Sequence, residues 1–285
     1  MKSLFASLLL AAAAPAFSAP VDLVTLYKDL HAHPELSFQE TRSAGILAAE
    51  ARAAGFEVTE KVGRTGVVAV LKNGKGPTLL IRADMDGLPV KEATGLPYAS
   101  TAIGSYGDGP MTPVMHACGH DIHMSVWVGT ARWLAENRKA WRGTVVMVGQ
   151  PAEEGGGGAR EMIKDGLFTL FPMEAMFGAH NWPGMAVGQF ALKSGPCYAS
   201  SNEFKIILKG KGAHGAMPHL GVDPVPAAAA LVQGFQTIIS RNMKPIDTGV
   251  ISVTMIHTGE ATNVIPDQCE IQGTVRTFTI AVLDM

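Results

Sequence analysis

The chain has no dense run of lysine or arginine: 23 basic residues stand against 25 acidic ones, for a formal net charge of -2. A protein that tracks a phosphate backbone needs a basic stripe, so nucleic acid is not an expected partner. Cysteine is scarce as well, three in 285 residues. That odd and small count argues against a disulfide framework as the source of stability. No apolar run reaches the roughly 20 residues that a bilayer-spanning helix requires. No internal repeat is present, and apart from the amino terminus the low-complexity content is the four glycines Gly155 to Gly158. What remains, at 47% hydrophobic and 17% charged residues, is an ordinary globular composition with room for one large or two modest domains.

The amino terminus differs from the rest. Lys2 precedes an apolar run from Leu4 to Ala14, followed by Pro15 and the small-residue stretch Ala16-Phe17-Ser18-Ala19. This is the form of a secretory signal peptide, so residues 1–19 are expected to be cleaved, after Ser18 or Ala19. The expected location is periplasmic or secreted, with no membrane association after cleavage. If Cys118 is a metal ligand, Cys197 and Cys269 remain. Strand alternation puts Cys269 inward with Ile271 and Val275, and buried thiols are expected rather than a bridge.

Apolar spacing predicts helices over Val21 to Leu30 and Ala44 to Ala54, the second ended by Gly55. Beta-rich runs at Gly66 to Leu71 and Thr78 to Arg82 are separated by the turn residues Asn73-Gly74 and Gly76-Pro77, which reads as a hairpin-like or sheet-edge pair. Ile122 to Asn137 is helix-like and apolar almost all round, hence expected to be buried. Gly143 to Gly149 is a Val/Met strand that runs into Glu153. Strands alternating with helices predict an α/β sheet covered on both faces, with chemistry in loops beyond the strand ends. The pattern changes near Ser194 to Pro196, dividing a first domain over 20–194 from a second over 195–285. In the second, a strand at Phe204 to Leu208, a helix at Val225 to Ile239, and strands at Val250 to Ile256 and Cys269 to Val275 give the opening of a ferredoxin-like sandwich.

Three distant stretches carry metal-ligand side chains: Met115 to Asp121 (MHACGHD), the pair Glu153 and Glu154, and His180 with Asn181. Thiolate, imidazole and carboxylate suit a borderline-soft divalent ion. Cys118 and His120 cannot share a helix face at that spacing, but a tight loop at a helix start can aim both at one ion. Glu153 and Glu154 follow a strand and precede the glycines, so adjacent carboxylates diverge: one can bind metal while the other faces a water as base. Each stretch alone has an ordinary explanation: a buried cysteine with a capping histidine, a solvated acidic turn, a structural histidine. Their combination reads as a hydrolytic metal site. His116, His123 and Asp121 are assigned to supporting that site through hydrogen bonds.

Eight blocks in order resemble the M20 family of metallopeptidases, specifically the amidohydrolase branch with hippurate hydrolases, N-acyl-amino-acid deacylases and plant auxin-conjugate hydrolases. They are HAHPELSFQE (His31 to Glu40), RADMDGLPV (Arg82 to Val90), MHACGHDIHM (Met115 to Met124), GQPAEEGGGGA (Gly149 to Ala159), GAHNWPG (Gly178 to Gly184), GAHGAMPHLGVDP (Gly212 to Pro224), NVIPD (Asn263 to Asp267) and GTVRTF (Gly273 to Phe278). The resemblance implies a zinc-exopeptidase-like α/β/α catalytic domain with an inserted ferredoxin-like α/β lid, here incomplete. It implies two divalent ions (Zn, Mn, Co or Ni) held by Cys118, His120, Glu154 and His180, with Glu153 as general base. Asp84 and Asp86 would orient the ligands. His214, Asn263 and Arg276 would bind substrate carboxylate or oxyanion, and the lid would form a homodimer.

The implied reaction is hydrolysis of small N-acyl amino acids to an acid and an amino acid. A dipeptidase or aminopeptidase of the same superfamily, and a non-catalytic exported metal- or ligand-binding relative, are the alternatives. His31 and His33 are expected to be structural. The chain stops at Met285, before the lid's last helix and strand and before the segment that carries the family's final histidine ligand. It is therefore read as a partial sequence, and this length made alone is expected to be poorly soluble and nearly inactive.

Overall fold

A computed structural model of the chain describes residues 21–285; the expected signal peptide lies outside the described residues. The chain forms two compact units that meet in sequence between Met185 and Ala186. No helix among the described residues is long and apolar enough to cross a membrane.

In the first unit the elements are, in order, α1 (Leu23–Ala32), α2 (Thr41–Ala53), β1 (Glu57–Val62), β2 (Gly66–Asn73), β3 (Thr78–Asp84), β4 (Ile103–Gly104), β5 (Thr112–Pro113), α3 (His120–Glu136), β6 (Gly143–Gln150), α4 (Gly158–Lys164), α5 (Leu167–Leu170) and β7 (Ala175–Gly178). Asp22 starts α1 by accepting the Thr25 N–H at 3.0 Å, the usual way a short acidic side chain satisfies a free donor at a helix start. Gly55, at φ 84, follows the end of α2 as expected.

The five-stranded sheet has the order β1-β2-β6-β3-β7. β2 and β3 are therefore not a hairpin. Both pair with β6, β2 antiparallel and β3 parallel. β6 can take the centre because both of its faces are apolar: Val145 and Met147 join the core shared with α1, α2 and α3, while Val146 and Val148 join Leu80, Met162 and Leu167 on the other face. Full burial of side chains of this size contributes about 1.5–3 kcal/mol each, which a two-residue turn signal cannot outweigh. α3 is likewise less buried than its composition predicts. Met124, Trp127, Val128, Ala131 and Leu134 pack inward, but Ile122, Val126 and Trp133 stay exposed.

Strands β6, β3 and β7 run parallel, with Asp84 beside Gln150 and Arg82 beside Gly178. Their carboxyl ends share one edge, so the segments after Gln150, Asp84 and Gly178 emerge together. This is where open α/β sheets collect functional groups.

In the second unit β8 (Asn202–Lys209), β9 (Ala213–His214), α6 (Pro224–Thr237), β10 (Gly249–His257), β11 (Val264–Ile265), β12 (Gln268–Thr277) and α7 (Ile280–Leu283) follow. The antiparallel order β10-β12-β8 and the strand, helix, strand, strand sequence agree with the expected pattern. α6 begins with Asp223 accepting the Val225 N–H at 2.9 Å and Pro224 in its first turn. The sheet-facing residues of α6 are Ala228, Leu231 and Phe235; Val225 is exposed, so the helix sits about one residue out of the phase its apolar spacing suggests. Cys269 and Ile271 are wholly buried beneath it, and Cys118, Cys197 and Cys269 are all unpaired.

Candidate metal centre

Gly119 opens α3 at φ 80, a left-handed conformation that favours glycine. A Cβ there would also lie 2.5 Å from the Asn181 side chain. This turn sets Cys118 and His120 on either side of the helix start. His120 is fully buried, and its Nδ1 donates to the Asp86 carbonyl at 2.8 Å. That bond fixes the tautomer, so Nε2 offers its lone pair.

Around Nε2 stand Asp84 Oδ2 at 3.6 Å, Glu154 Oε1 at 3.7 Å and Glu153 Oε2 at 3.9 Å. His120 Nε2 and Glu154 Oε1 are buried atoms with no hydrogen-bond partner. Two acceptors facing each other in a buried place are costly unless something positive joins them. Burial would lower the pKa of His120, but Asp86, Asp84 and Glu154 outweigh it and raise the value; the same field favours a metal cation. Burial raises the Glu154 pKa, with Glu153 adding to it and His120 opposing. The Cys118 thiol is pushed up to about 12 by burial and by the charges of Glu154, Glu153 and Asp84. Its Sγ lies 3.4 Å from His180 Nε2, while His180 Nδ1 donates to the Asn181 carbonyl at 2.7 Å.

The donors fall into three overlapping groups: Cys118, His120 and His180; Asp84, His120 and His123; and His120, Glu153 and Glu154. Within each, one ligand atom per residue lies within 4.8 Å of the others. The donor set, sulfur with nitrogen and oxygen, fits borderline divalent ions. His123 is the weakest donor in geometric terms because both its nitrogens are engaged. Nδ1 donates to Asp84 Oδ1 at 2.5 Å, and Nε2 accepts the Asn181 N–H at 3.0 Å. Asp84 is held in addition by Arg82 at 2.9 Å. Burial opposes its charge, yet His123, His120 and Arg82 together depress its pKa strongly.

Asp86 belongs to none of the three donor groups and serves instead as an anchor. It accepts the Ser37 hydroxyl at 2.7 Å, the Glu153 N–H at 3.0 Å and the Glu154 N–H at 3.1 Å. Burial would raise its pKa, but His120, Ser37 and these two amides prevail and lower it. Asp86 therefore holds the loop that carries both glutamates. Asp86→Ala is expected to weaken zinc binding by about 10- to 100-fold, the usual effect of removing an outer partner, as measured by chelator competition. Unchanged affinity would show that the loop holds itself.

Asp121 is one step further out. Its Oδ2 meets His31 Nδ1 at 2.6 Å, and His31 Nε2 meets Glu92 Oε1 at 3.1 Å, tying α1 and the loop after β3 to the start of α3. His31 is thus a buried bridge, whereas His33 is exposed and bonds the Asp29 carbonyl at 2.7 Å. His116 departs from the supporting role its position suggests. It is buried with neither nitrogen hydrogen-bonded, and burial pushes its pKa down to about 4.

The structure brings together Asp84, Asp86, Cys118, His120, Asp121, Glu153, Glu154 and His180. His214, Asn263 and Arg276 lie in the second unit. There His214 pairs with Val264, its Nδ1 accepts the Ala216 N–H at 3.1 Å, the Asn263 carbonyl accepts the Gly215 N–H at 2.7 Å, and Arg276 bonds the Ser201 hydroxyl. Sequence reasoning missed Ser37, Glu40, Arg82 and Glu92 as supports. Each lies in or beside a stretch of functional type. Ser37, Glu40 and Glu92 reach partners 49, 112 and 61 residues away, which leaves no local spacing signal, whereas Arg82 is two residues from Asp84 and was within reach of the strand alternation.

The profile of peptidase family M20/M25/M40 matches residues 80–277. The chain is 42% identical over 258 residues to N-acetylcysteine deacetylase of Bacillus subtilis, covering 90% of this chain and 65% of that protein. It is 42% identical over 248 residues to hippurate hydrolase of Campylobacter jejuni, covering 87% and 62% respectively. The crystal structure of a dinuclear metal-binding M20-family peptidase from Bacillus subtilis superposes with a TM-score of 0.74 at 38% identity, covering 92% of this chain and 65% of that one. The chain thus spans somewhat less than two thirds of the length of these relatives.

Proposed function

The chain belongs to peptidase family M20/M25/M40, and on that premise we propose that it is a metal-dependent amidohydrolase that cleaves N-acyl amino acids into an acid and an amino acid. One observation carries the reading. The buried, unpartnered atoms His120 Nε2 and Glu154 Oε1 face each other at 3.7 Å, with the Glu153 carboxylate 3.9 Å from the same nitrogen. Cys118, His120, Glu154 and His180 would hold two divalent ions, of which zinc, manganese, cobalt and nickel all suit the donor set. When bound, such ions acidify a water and polarise an amide carbonyl.

Glu153 suits the remaining duty. Its side chain is 40% exposed, against 17% for that of Glu154, so it can face substrate while its neighbour faces inward. It would take the proton of the attacking water and return it to the leaving amine. Asp86 keeps both glutamates in place through their amides. For His214, Asn263 and Arg276 we retain donor roles toward the oxyanion and the substrate carboxylate in a homodimer; the planar fork of arginine matches a carboxylate. Export through a leader over 1–19 is part of the same proposal.

Support for the substrate class comes from the two relatives above, one named for N-acetylcysteine and one for hippurate. The test is a panel of hippurate, N-acetyl amino acids and dipeptides offered to the intact, metal-loaded protein. Preferential cleavage of acyl amino acids is expected. Cleavage of dipeptides alone would favour a peptidase, and tight metal binding with no turnover would favour a binding protein.

A further inference from the structure

One buried carboxylate outside the donor set fastens the approach to Glu153 and Glu154. Glu40 is wholly buried. Its Oε1 accepts the Phe38 N–H at 2.9 Å and the Ala152 N–H at 2.8 Å, and its Oε2 accepts the Thr65 hydroxyl. Both amides belong to residues in the left-handed region, Phe38 at φ 63 and Ala152 at φ 49, and neither is glycine. Side chains persist there when surrounding contacts impose it, and such strain gathers at functional sites. Ala152 directly precedes Glu153, and its carbonyl accepts the Gly158 N–H at 3.0 Å at the start of α4. Its methyl is packed as well: a Cβ on Gly156 would lie 2.7 Å from it.

We propose that Glu40 is a positioning residue: it locks Ala152 in the left-handed turn from which Glu153 and Glu154 are presented to His120. Asp86 holds the loop after that turn, and Glu40 holds the turn itself. The inference rests on the reading of Glu154 as ligand and Glu153 as base. A glutamine at position 40 keeps one oxygen for both amides and turns its NH2 toward Thr65, whose hydroxyl can accept. Glycine at position 152 adopts the turn without a clamp.

The test compares Glu40→Ala, Glu40→Gln and the double variant Glu40→Ala/Ala152→Gly in the intact protein. Zinc affinity is read by chelator competition, kcat and KM with an N-acetyl amino acid, and folding by the thermal midpoint. Glu40→Ala is expected to lose about 10- to 100-fold in both zinc affinity and kcat, with KM little changed. Glu40→Gln should stay near wild type, and the double variant should recover most of the loss. A folded Glu40→Ala with wild-type affinity and kcat overturns the proposal, as does a folded double variant no better than the single one. If Glu40→Ala does not fold, the double variant decides against Glu40→Gln: near-equal zinc affinity supports the clamp, and a clear loss overturns it. A wild-type protein that binds no zinc would sink the metal-site reading instead. In that case amide exchange at Ala152, slow in wild type and fast in Glu40→Ala, still reports the clamp, and equal rates overturn it.

Discussion

Glu153→Gln is expected to bind zinc as the wild-type protein does and to lose about 10²- to 10⁴-fold in kcat, the range that a positioned general base supplies. Glutamine has nearly the same shape, and the Glu153 backbone amide stays on Asp86 whatever the side chain is. What disappears is a site able to take a proton. The contrast with its neighbour sharpens the result. Glu154 has a buried, unpartnered oxygen, so Glu154→Gln should weaken metal binding first and turnover as a consequence. Metal content by elemental analysis, set beside kcat on an N-acetyl amino acid, separates the two variants. Undiminished hydrolysis by Glu153→Gln would remove Glu153 from the mechanism.

His120→Ala should be the most damaging single substitution for metal binding, exceeding the roughly 100-fold upper range for an outer partner. His120 belongs to all three donor groups, whereas Cys118, His180, Asp84, His123 and the two glutamates each belong to one. Its loss therefore affects every candidate ion position, and it leaves the buried Asp84 and Asp86 carboxylates without the imidazole beside them. Cys118→Ala, which touches a single group, should be milder. Chelator competition with zinc ranks the variants, and His120→Ala with near-native affinity would show that the cluster is not where the metal sits.

Much of the candidate site was legible because its ligands lie in short local motifs. Cys118 and His120 are two residues apart, Glu153 and Glu154 adjoin, and His180 follows two residues after the end of β7. Residue type and strand-end position suffice to nominate such groups. Their supports were not legible in the same way. Glu40 reaches Ala152 across 112 residues, and nothing in local spacing marks such a partner; Asp86 was nominated as an orienting residue, but not that it holds the Glu153 amide 67 residues away. His116 shows the converse error: it sits inside the motif, yet neither of its nitrogens is hydrogen-bonded. The pairing of β2 with β6 rather than β3 is a further case, since turn residues report where a chain reverses but not which strand it then joins.

The sequence by itself determined the kinds of groups available, the elements on which they ride and the family to which the chain belongs, because side-chain chemistry and apolar periodicity are local properties. Only the tertiary structure decided which groups meet. Three parallel strands end at one edge, and a left-handed glycine starts α3 beside that edge. Two buried carboxylates, Glu40 and Asp86, then tie the glutamate loop down through its amides. Convergence is set by strand order and by long-range hydrogen bonds, and these exist only once the chain has folded.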